Sequence, residues 1–392
     1  MPFDITSLLL GVIIIQLLLL AIFLFSQDRG RKQSHLLLGL FFLSLCLNLA
    51  DGLLLYLKFY LRYPSVALWG TGCTLLLGPF LYLYTRSALF KDFFFSPKML
   101  LHFIPFILLE LVSLIAYWSL SHDEKINLLQ QLTNRQVHGV FDAVSALIFL
   151  HFFTYQFFAW QLIKRYQAIA ASRFSDLQKN NVYWLKTLQV AFLLFFFLGL
   201  IKTFIYLTPF ANFYYVVFFL LVTLLFVFVN RVVLKALNNP AMFTSLEEND
   251  ATGAAPPAGM KYGGSAVTEN EKEILRNKIL DHMVAKRPYL DANLSLDELA
   301  KQLQLKPRIL SQLINESIGQ SFFDFVNNYR INEAKKMLDN PEDPKITVLE
   351  VLYAVGFNSK SSFNTLFKKQ TGLTPSEYKR VSMQKRSGSG IA

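Results

Sequence analysis

Residues 188–207 read "LQVAFLLFFFLGLIKTFIYL", twenty positions that carry a single charge, Lys202. A helix of about twenty apolar residues crosses the ~30 Å hydrocarbon core of a bilayer. A run of that length, apolar on every side, has no place on the surface of a soluble domain. Seven such segments fall near residues 4–26, 35–57, 65–86, 99–120, 137–161, 185–207 and 212–234. Pro105 and Glu110 interrupt the fourth, and Asp142 the fifth. The seven share no detectable repeat. The sequence therefore predicts an all-α chain that opens with a seven-helix transmembrane bundle over residues 1–235.

Composition points the same way. The chain is 53% hydrophobic and holds 38 Phe, well above the usual content of a soluble protein. Its two cysteines, Cys46 and Cys73, both lie in apolar segments. That excludes a disulfide framework and reads as two buried thiols. The start, "MPFDITSLLL", has neither a basic leading region nor a small-residue cleavage site. It is expected to be the first span rather than a removable signal.

Loop charge sets the expected orientation. Alternate loops hold eleven Lys/Arg on one side (29–32, 86–98 and 164–186) and four on the other (Lys58, Arg62, Lys125 and Arg135). The positive-inside rule then puts the N-terminus outside. An odd number of spans leaves residues 235–392 in the cytoplasm. Four ionisable residues inside the spans, Asp51, Glu110, Asp142 and Lys202, are candidates for a sensor pocket, because charge in lipid is costly. The alternative for each is snorkelling to the interface or pairing that only holds helices together. His151 reads as a packed, hydrogen-bonded histidine.

Residues 236–267, rich in Pro, Gly, Ala and Asn without apolar period, read as a flexible linker. From Thr268 the pattern turns helical. Thr268 and Glu271 resemble a capping box, and that helix stops at Pro288. "SLDELAKQLQL" has Ser295 as its cap, with Leu296, Leu299, Ala300 and Leu303 on one face. "PRILSQLINESIG" follows after a tight break, with Pro307 in the first turn and Ile309, Leu310, Leu313 and Ile314 inward. Two short helices joined this way make a helix-turn-helix, whose second helix can enter a major groove. After a long helix, "SFFDFVNNYRINEAKKMLDN", the pattern repeats as "ITVLEVLYAVGF" and "NSKSSFNTLFKKQTG", the latter capped by Asn358 or Ser359 and closed by Gly372.

Arg and Gln/Asn are the side chains that pair bidentately with guanine and adenine edges. The outward positions of the first reading helix are Arg308, Ser311, Gln312 and Asn315. Those of the second are Lys360, Ser361, Asn364, Thr365 and Lys368. Net charge is +11, of which residues 1–235 hold +9, so charge alone does not argue for nucleic acid. Within residues 345–392, however, eight basic residues face two acidic ones, which is a local basic patch. Residues 383–392 read as a disordered basic tail.

Residues 268–382 resemble the DNA-binding domain of AraC/XylS-type bacterial transcription regulators. The resemblance is carried by "LAKQLQLKPRILSQLINESIG" (299–319), "YRINEAKKML" (329–338) and "VGFNSKSSFNTLFKKQTGLTPSEYKR" (355–380). It implies two helix-turn-helix units joined by a long helix and binding to promoter DNA. Gln304 stands where the family often has a turn glycine, and Lys306 where it often has a capping serine. A membrane bundle replaces the soluble effector domain of many family members, so no effector class carries over.

The expected function is that of a membrane-embedded one-component regulator in a bacterial inner membrane, with its C-terminal domain in the cytoplasm. Expected partners are double-stranded promoter DNA, the lipid bilayer, RNA polymerase, a second copy of the chain, and a small-molecule or membrane signal of unknown class. The competing expectation is a polytopic carrier or channel whose helical tail is a protein-interaction module. Transporters tend to show matched Gly/Pro breaks in repeated halves, and Gly78-Pro79 and Pro105 do not match. No His/Cys metal spacing, nucleophile elbow or phosphate loop occurs. The chain is expected to be no enzyme and to need neither metal nor cofactor.

Overall fold

The computed structural model describes residues 4–27, 31–90, 93–134, 139–175, 182–206, 208, 213–238, 269–339 and 345–388. Most of the expected linker (239–267), the Thr268 cap and the last four residues of the tail lie outside them. The described residues divide into two compact units, Met1–Ile163 with Asn181–Thr252, and Lys164–Asn180 with Gly253–Ala392. Sixteen α-helices run through the described residues, with no strand longer than a single bridge.

The first unit holds α1 (Ile5–Phe25), α2 (Lys32–Tyr56), α3 (Phe59–Arg62), α4 (Thr74–Leu89), α5 (Ile104–Trp118), α6 (His122–Asn134), most of α7 (Val140–Ala171), α8 (Val182–Tyr206) and α9 (Tyr214–Asn238). Seven helical stretches are long and apolar enough to cross a membrane: Ile5–Phe25, Lys32–Tyr56, Pro64–Leu89, Pro97–Trp118, Val140–Ala171, Trp184–Ile205 and Tyr214–Ala236. The first starts cleanly, because Asp4 accepts a hydrogen bond from the Ser7 amide at 2.8 Å while the Ser7 hydroxyl serves the Asp4 amide. That satisfies two of the amides a helix start leaves without partners.

Within the unit, α1 packs on α2 and α9, α2 on α4, and α8 on α9. Polar pairs pin the helices together: Gln16 to Asn230 at 3.0 Å between α1 and α9, Ser87 to Ser34 at 2.9 Å between α4 and α2, and Gln189 to Thr85 at 2.7 Å between α8 and α4. The outward stripes stay apolar. On α5, Leu108, Val112 and Ile115 are all more than half exposed. An apolar exterior over polar interior pairs is the reverse of a water-soluble bundle.

The second unit holds the end of α7 and α10 (Glu269–Lys286), α11 (Leu296–Leu303), α12 (Pro307–Glu316), α13 (Phe322–Asp339), α14 (Val348–Ala354), α15 (Lys360–Thr371) and α16 (Pro375–Gly388). It has two hydrophobic cores, and α13 serves both. Phe322, Phe325 and Val326 from its first half join Ile279, Leu299, Leu313 and Ile314. Ile331, Ala334 and Leu338 from its second half join Val351, Leu352, Phe363 and Phe367. Burial of a Phe such as Phe363, fully shielded, contributes about 1.5–3 kcal/mol.

One expectation is corrected. Residues 383–388, read as part of a disordered tail, are helical, because α16 continues through Met383, Gln384 and Lys385, which favour helix. Beyond the apolar segment placed near 137–161, α7 runs on to Ala171. Residues 162–171 contain Lys, Arg, Gln and Ala but no Gly or Pro to stop it.

Candidate nucleic-acid interface

The first helix-turn-helix is built by local chemistry at its three junctions. Ser295 caps α11, its hydroxyl accepting from the Glu298 amide at 3.2 Å. Gln304 takes φ 57° at the turn, and the Leu305 amide returns to the Ala300 carbonyl at 2.8 Å. A left-handed non-glycine residue costs about 1–2 kcal/mol, which explains why a glycine is the easier choice there. Lys306 is extended and makes no side-chain cap, and Pro307 starts α12 with its fixed φ. Leu310, Leu313 and Ile314 then face the core.

The second helix-turn-helix repeats this plan with better caps. Thr347 and Glu350 form a reciprocal capping box at α14, the Glu350 carboxylate accepting from the Thr347 amide at 2.6 Å. Those hydrogen bonds hold the Glu350 carboxyl below its ordinary value of 4.5. The Thr374 amide and hydroxyl do the same for Glu377 ahead of α16. Ser359 caps α15, its hydroxyl accepting from the Ser362 amide at 3.4 Å, and Gly372 closes the helix at φ 77°. Phe363 and Phe367 point inward.

Of the residues expected to face DNA, Arg308 and Asn315 on α12 are exposed, and Ser311 and Gln312 are half-buried. Asn315 donates to the Ser311 carbonyl at 2.8 Å, and Gln312 to Glu316 at 3.0 Å. On α15, Lys360, Ser361, Thr365 and Lys368 are exposed and Asn364 is half-buried. The Thr365 hydroxyl donates back to the Ser361 carbonyl at 2.8 Å. Each reading helix therefore presents amide, hydroxyl and cationic groups on the face opposite its apolar stripe, as base and phosphate contacts require.

What joins the two helix-turn-helices is a buried arginine to which the sequence pattern assigns no role. Arg330, on α13 between the two cores, is 1% exposed. Its Nε donates to the Tyr289 carbonyl at 2.7 Å and Nη2 to the Asp291 carbonyl at 2.8 Å. Its guanidinium lies 5.6 Å from the centre of the Phe357 ring in the second helix-turn-helix. Tyr289 and Asp291 precede the first helix-turn-helix, so one side chain ties both helix-turn-helices to the shared helix. Gly356, at φ 87°, brings the second turn against the same segment. A β-carbon there would sit 2.7 Å from both the Tyr289 and Leu290 carbonyl oxygens. A charged residue amid "YRIN" gives no sign in sequence of its burial, because the acceptors lie some forty residues away.

The sensor-pocket candidates fall into separate places. Asp51, 4% exposed, accepts from the Tyr60 hydroxyl at 2.6 Å and the Thr71 hydroxyl at 2.8 Å. Glu110 accepts from the adjacent Gly72 amide at 3.0 Å. These two carboxylates therefore meet on one short turn. Asp142 instead accepts from the Gly139 amide at 3.1 Å near the start of α7, and Lys202 lies 5.3 Å from the Tyr214 ring centre. Among the described residues no cluster of three or more His, Cys, Asp or Glu could hold a metal.

A family model described as a helix-turn-helix domain matches residues 299–381. The uncharacterized regulator YtdP of Bacillus subtilis is 32% identical over 97 residues, which are 25% of this chain and 12% of that protein. The transcriptional regulatory protein YesN of the same organism is 37% identical over 90 residues, 22% of this chain and 24% of that one. The transcriptional activator RhaR of Escherichia coli is 21% identical over 125 residues, 32% and 42% respectively. The chain thus spans less than half the length of these curated relatives. Among solved structures, the C-terminal domain of the response regulator AraT from Geobacillus stearothermophilus matches with 25% identity over 30% of this chain and 88% of that one, at a TM-score of 0.24. The C-terminal module is a DNA-binding domain of transcription regulators. It is a helix-turn-helix domain of the AraC type.

Proposed function

We propose that this chain is a membrane-embedded one-component transcription regulator. Its AraC-type module binds promoter DNA sequence-specifically on the cytoplasmic face of a bacterial inner membrane, and its apolar bundle senses a signal. The observation that carries this reading is the union, in one chain, of two complete helix-turn-helix units on a shared helix with seven helices of membrane-crossing length. The reading assigns base contacts to Arg308, Ser311, Gln312, Lys360, Ser361, Asn364 and Thr365, and further DNA contacts to Asn315 and Lys368, the latter to phosphate. It places the candidate signal site at Asp51 and Glu110, where two carboxylates converge on residues 71 and 72. RNA polymerase and a second copy of the chain are the further partners it invokes.

The test is DNA crosslinking in cells that express the full chain tagged at its C-terminus, with the recovered DNA sequenced and the crosslinked species sized. Discrete promoter sites attached to an intact 45.0 kDa chain are the expected result. The same sites on a short species replace regulation in place with proteolytic release. No enriched sites under any growth condition would refute promoter binding.

A further inference from the structure

Arg330 and its neighbour Asn327 reach a segment from far upstream in the chain. α7 passes Ile163, where the first unit ends, and the chain continues from Ala171 into residues 172–175, which belong to the second unit. There Phe174 pairs with Ser295 in an antiparallel bridge, and the Leu296 amide donates to the Arg173 carbonyl at 3.0 Å. The Ser175 hydroxyl donates to the Leu294 carbonyl at 2.6 Å. From α13, Asn327 donates to the Ser175 carbonyl at 3.0 Å, and Arg330 Nη2 donates to the Ser175 hydroxyl at 3.2 Å. Ser175 is 3% exposed and Asn327 2%.

These bonds answer specific needs of the module. Leu296 is the first residue of α11, so its amide has no acceptor within its own helix, and Arg173 provides one. A buried guanidinium is tolerated only when its donors are met. Arg330 gives two of them to Tyr289 and Asp291 and turns others on Ser175. None of the residues this segment bonds, 294–296, 327 and 330, is among those assigned to DNA on α12 and α15.

We propose that residues 173–175 are a strap that clamps the end of the fifth apolar helix into the joint between the two helix-turn-helix units. Displacement of α7 then reaches the DNA-binding module through Ser175 and Arg330, and not only through the linker expected at 236–267. The module reads DNA with the strap in place. The inference rests on the proposed function for the membrane position of α7, whereas the docking itself does not.

The test uses the full chain in lipid nanodiscs, with Cys46→Ala, Cys73→Ala, Phe174→Cys and Ser295→Cys, and a protease site inserted after Gly259. Bridge partners lie about 4.5–5.5 Å apart at Cα, within disulfide reach. After mild oxidation and cleavage, the C-terminal fragment is expected to stay joined to the rest on a non-reducing gel and to separate on reduction. Ser175→Lys sets a second cation against Arg330 and should slow crosslinking at least tenfold, with Ser175→Ala between. The locked chain should bind sheared genomic DNA of the source organism within threefold of the reduced chain.

A chain that binds DNA but does not crosslink overturns the strap, as does equal crosslinking in Ser175→Lys. Loss of DNA binding on locking, restored by reduction, overturns the claim that the module reads DNA with the strap docked. A chain that crosslinks as expected but binds no DNA in either redox state supports the strap and removes the promoter reading instead.

Discussion

Replacing Gly356 by alanine probes the contact that sets the second helix-turn-helix against the first. Two costs arise together. At φ 87° a β-carbon meets the left-handed penalty of about 1–2 kcal/mol. It would also lie 2.7 Å from two carbonyl oxygens of the 289–290 segment, and forcing that turn outward costs about 1–3 kcal/mol. Gly372 separates the two effects, because it has a similar φ of 77° and nothing within 4 Å of a β-carbon. Gly372→Ala should therefore lose about 1 kcal/mol and Gly356→Ala about 3 kcal/mol. With a urea dependence of about 2 kcal/mol per molar, the midpoints fall by roughly 0.5 M and 1.5 M. Pulse proteolysis of the full chain in nanodiscs, followed through a C-terminal tag, reads these midpoints. Equal losses in the two variants would mean that the second turn does not rest on the Tyr289 and Leu290 carbonyls, and the account of the joint would fail.

Arg308→Ala should cost about 1–3 kcal/mol at one base position while leaving other positions unaffected. Lys368→Ala should instead weaken all sequences alike and reduce the salt dependence of binding, and titration of a randomised operator library separates the two patterns. Asp51→Asn is expected to alter the output of a promoter reporter while promoter affinity of the detergent-solubilised chain stays within twofold, and an unchanged reporter would remove Asp51 from the signal site. Glu350 and Glu377 have folded carboxyls below their ordinary 4.5, so their stabilisation is complete above that value and is lost as pH falls through the lowered one. Urea midpoints between pH 7 and pH 3 should drop less steeply in the Glu350→Gln/Glu377→Gln chain than in the native one.

The sequence by itself determined what local chemistry decides. Seven apolar runs need only their own length and composition to become helices of membrane-crossing size. Ser295, Pro307, Ser359 and Gly372 mark helix ends because capping bonds and backbone φ preferences act within three or four residues. The two apolar stripes with polar backs made α12, α15 and their polar outward faces legible. Only the tertiary structure decided the rest, since each remaining feature joins residues far apart in the chain. Gln304 adopts a left-handed turn that its identity disfavours, because the packing of α11 on α12 requires it there. Asp51 and Glu110 converge on one turn while Asp142 and Lys202 find other partners, an outcome set by how α2, α4 and α5 pack. Arg330 is buried because Tyr289, Asp291 and Ser175 supply its acceptors, and the last of these arrives from 155 residues upstream. Hydrogen bonds of that kind follow from where the chain returns in space, which no local pattern encodes.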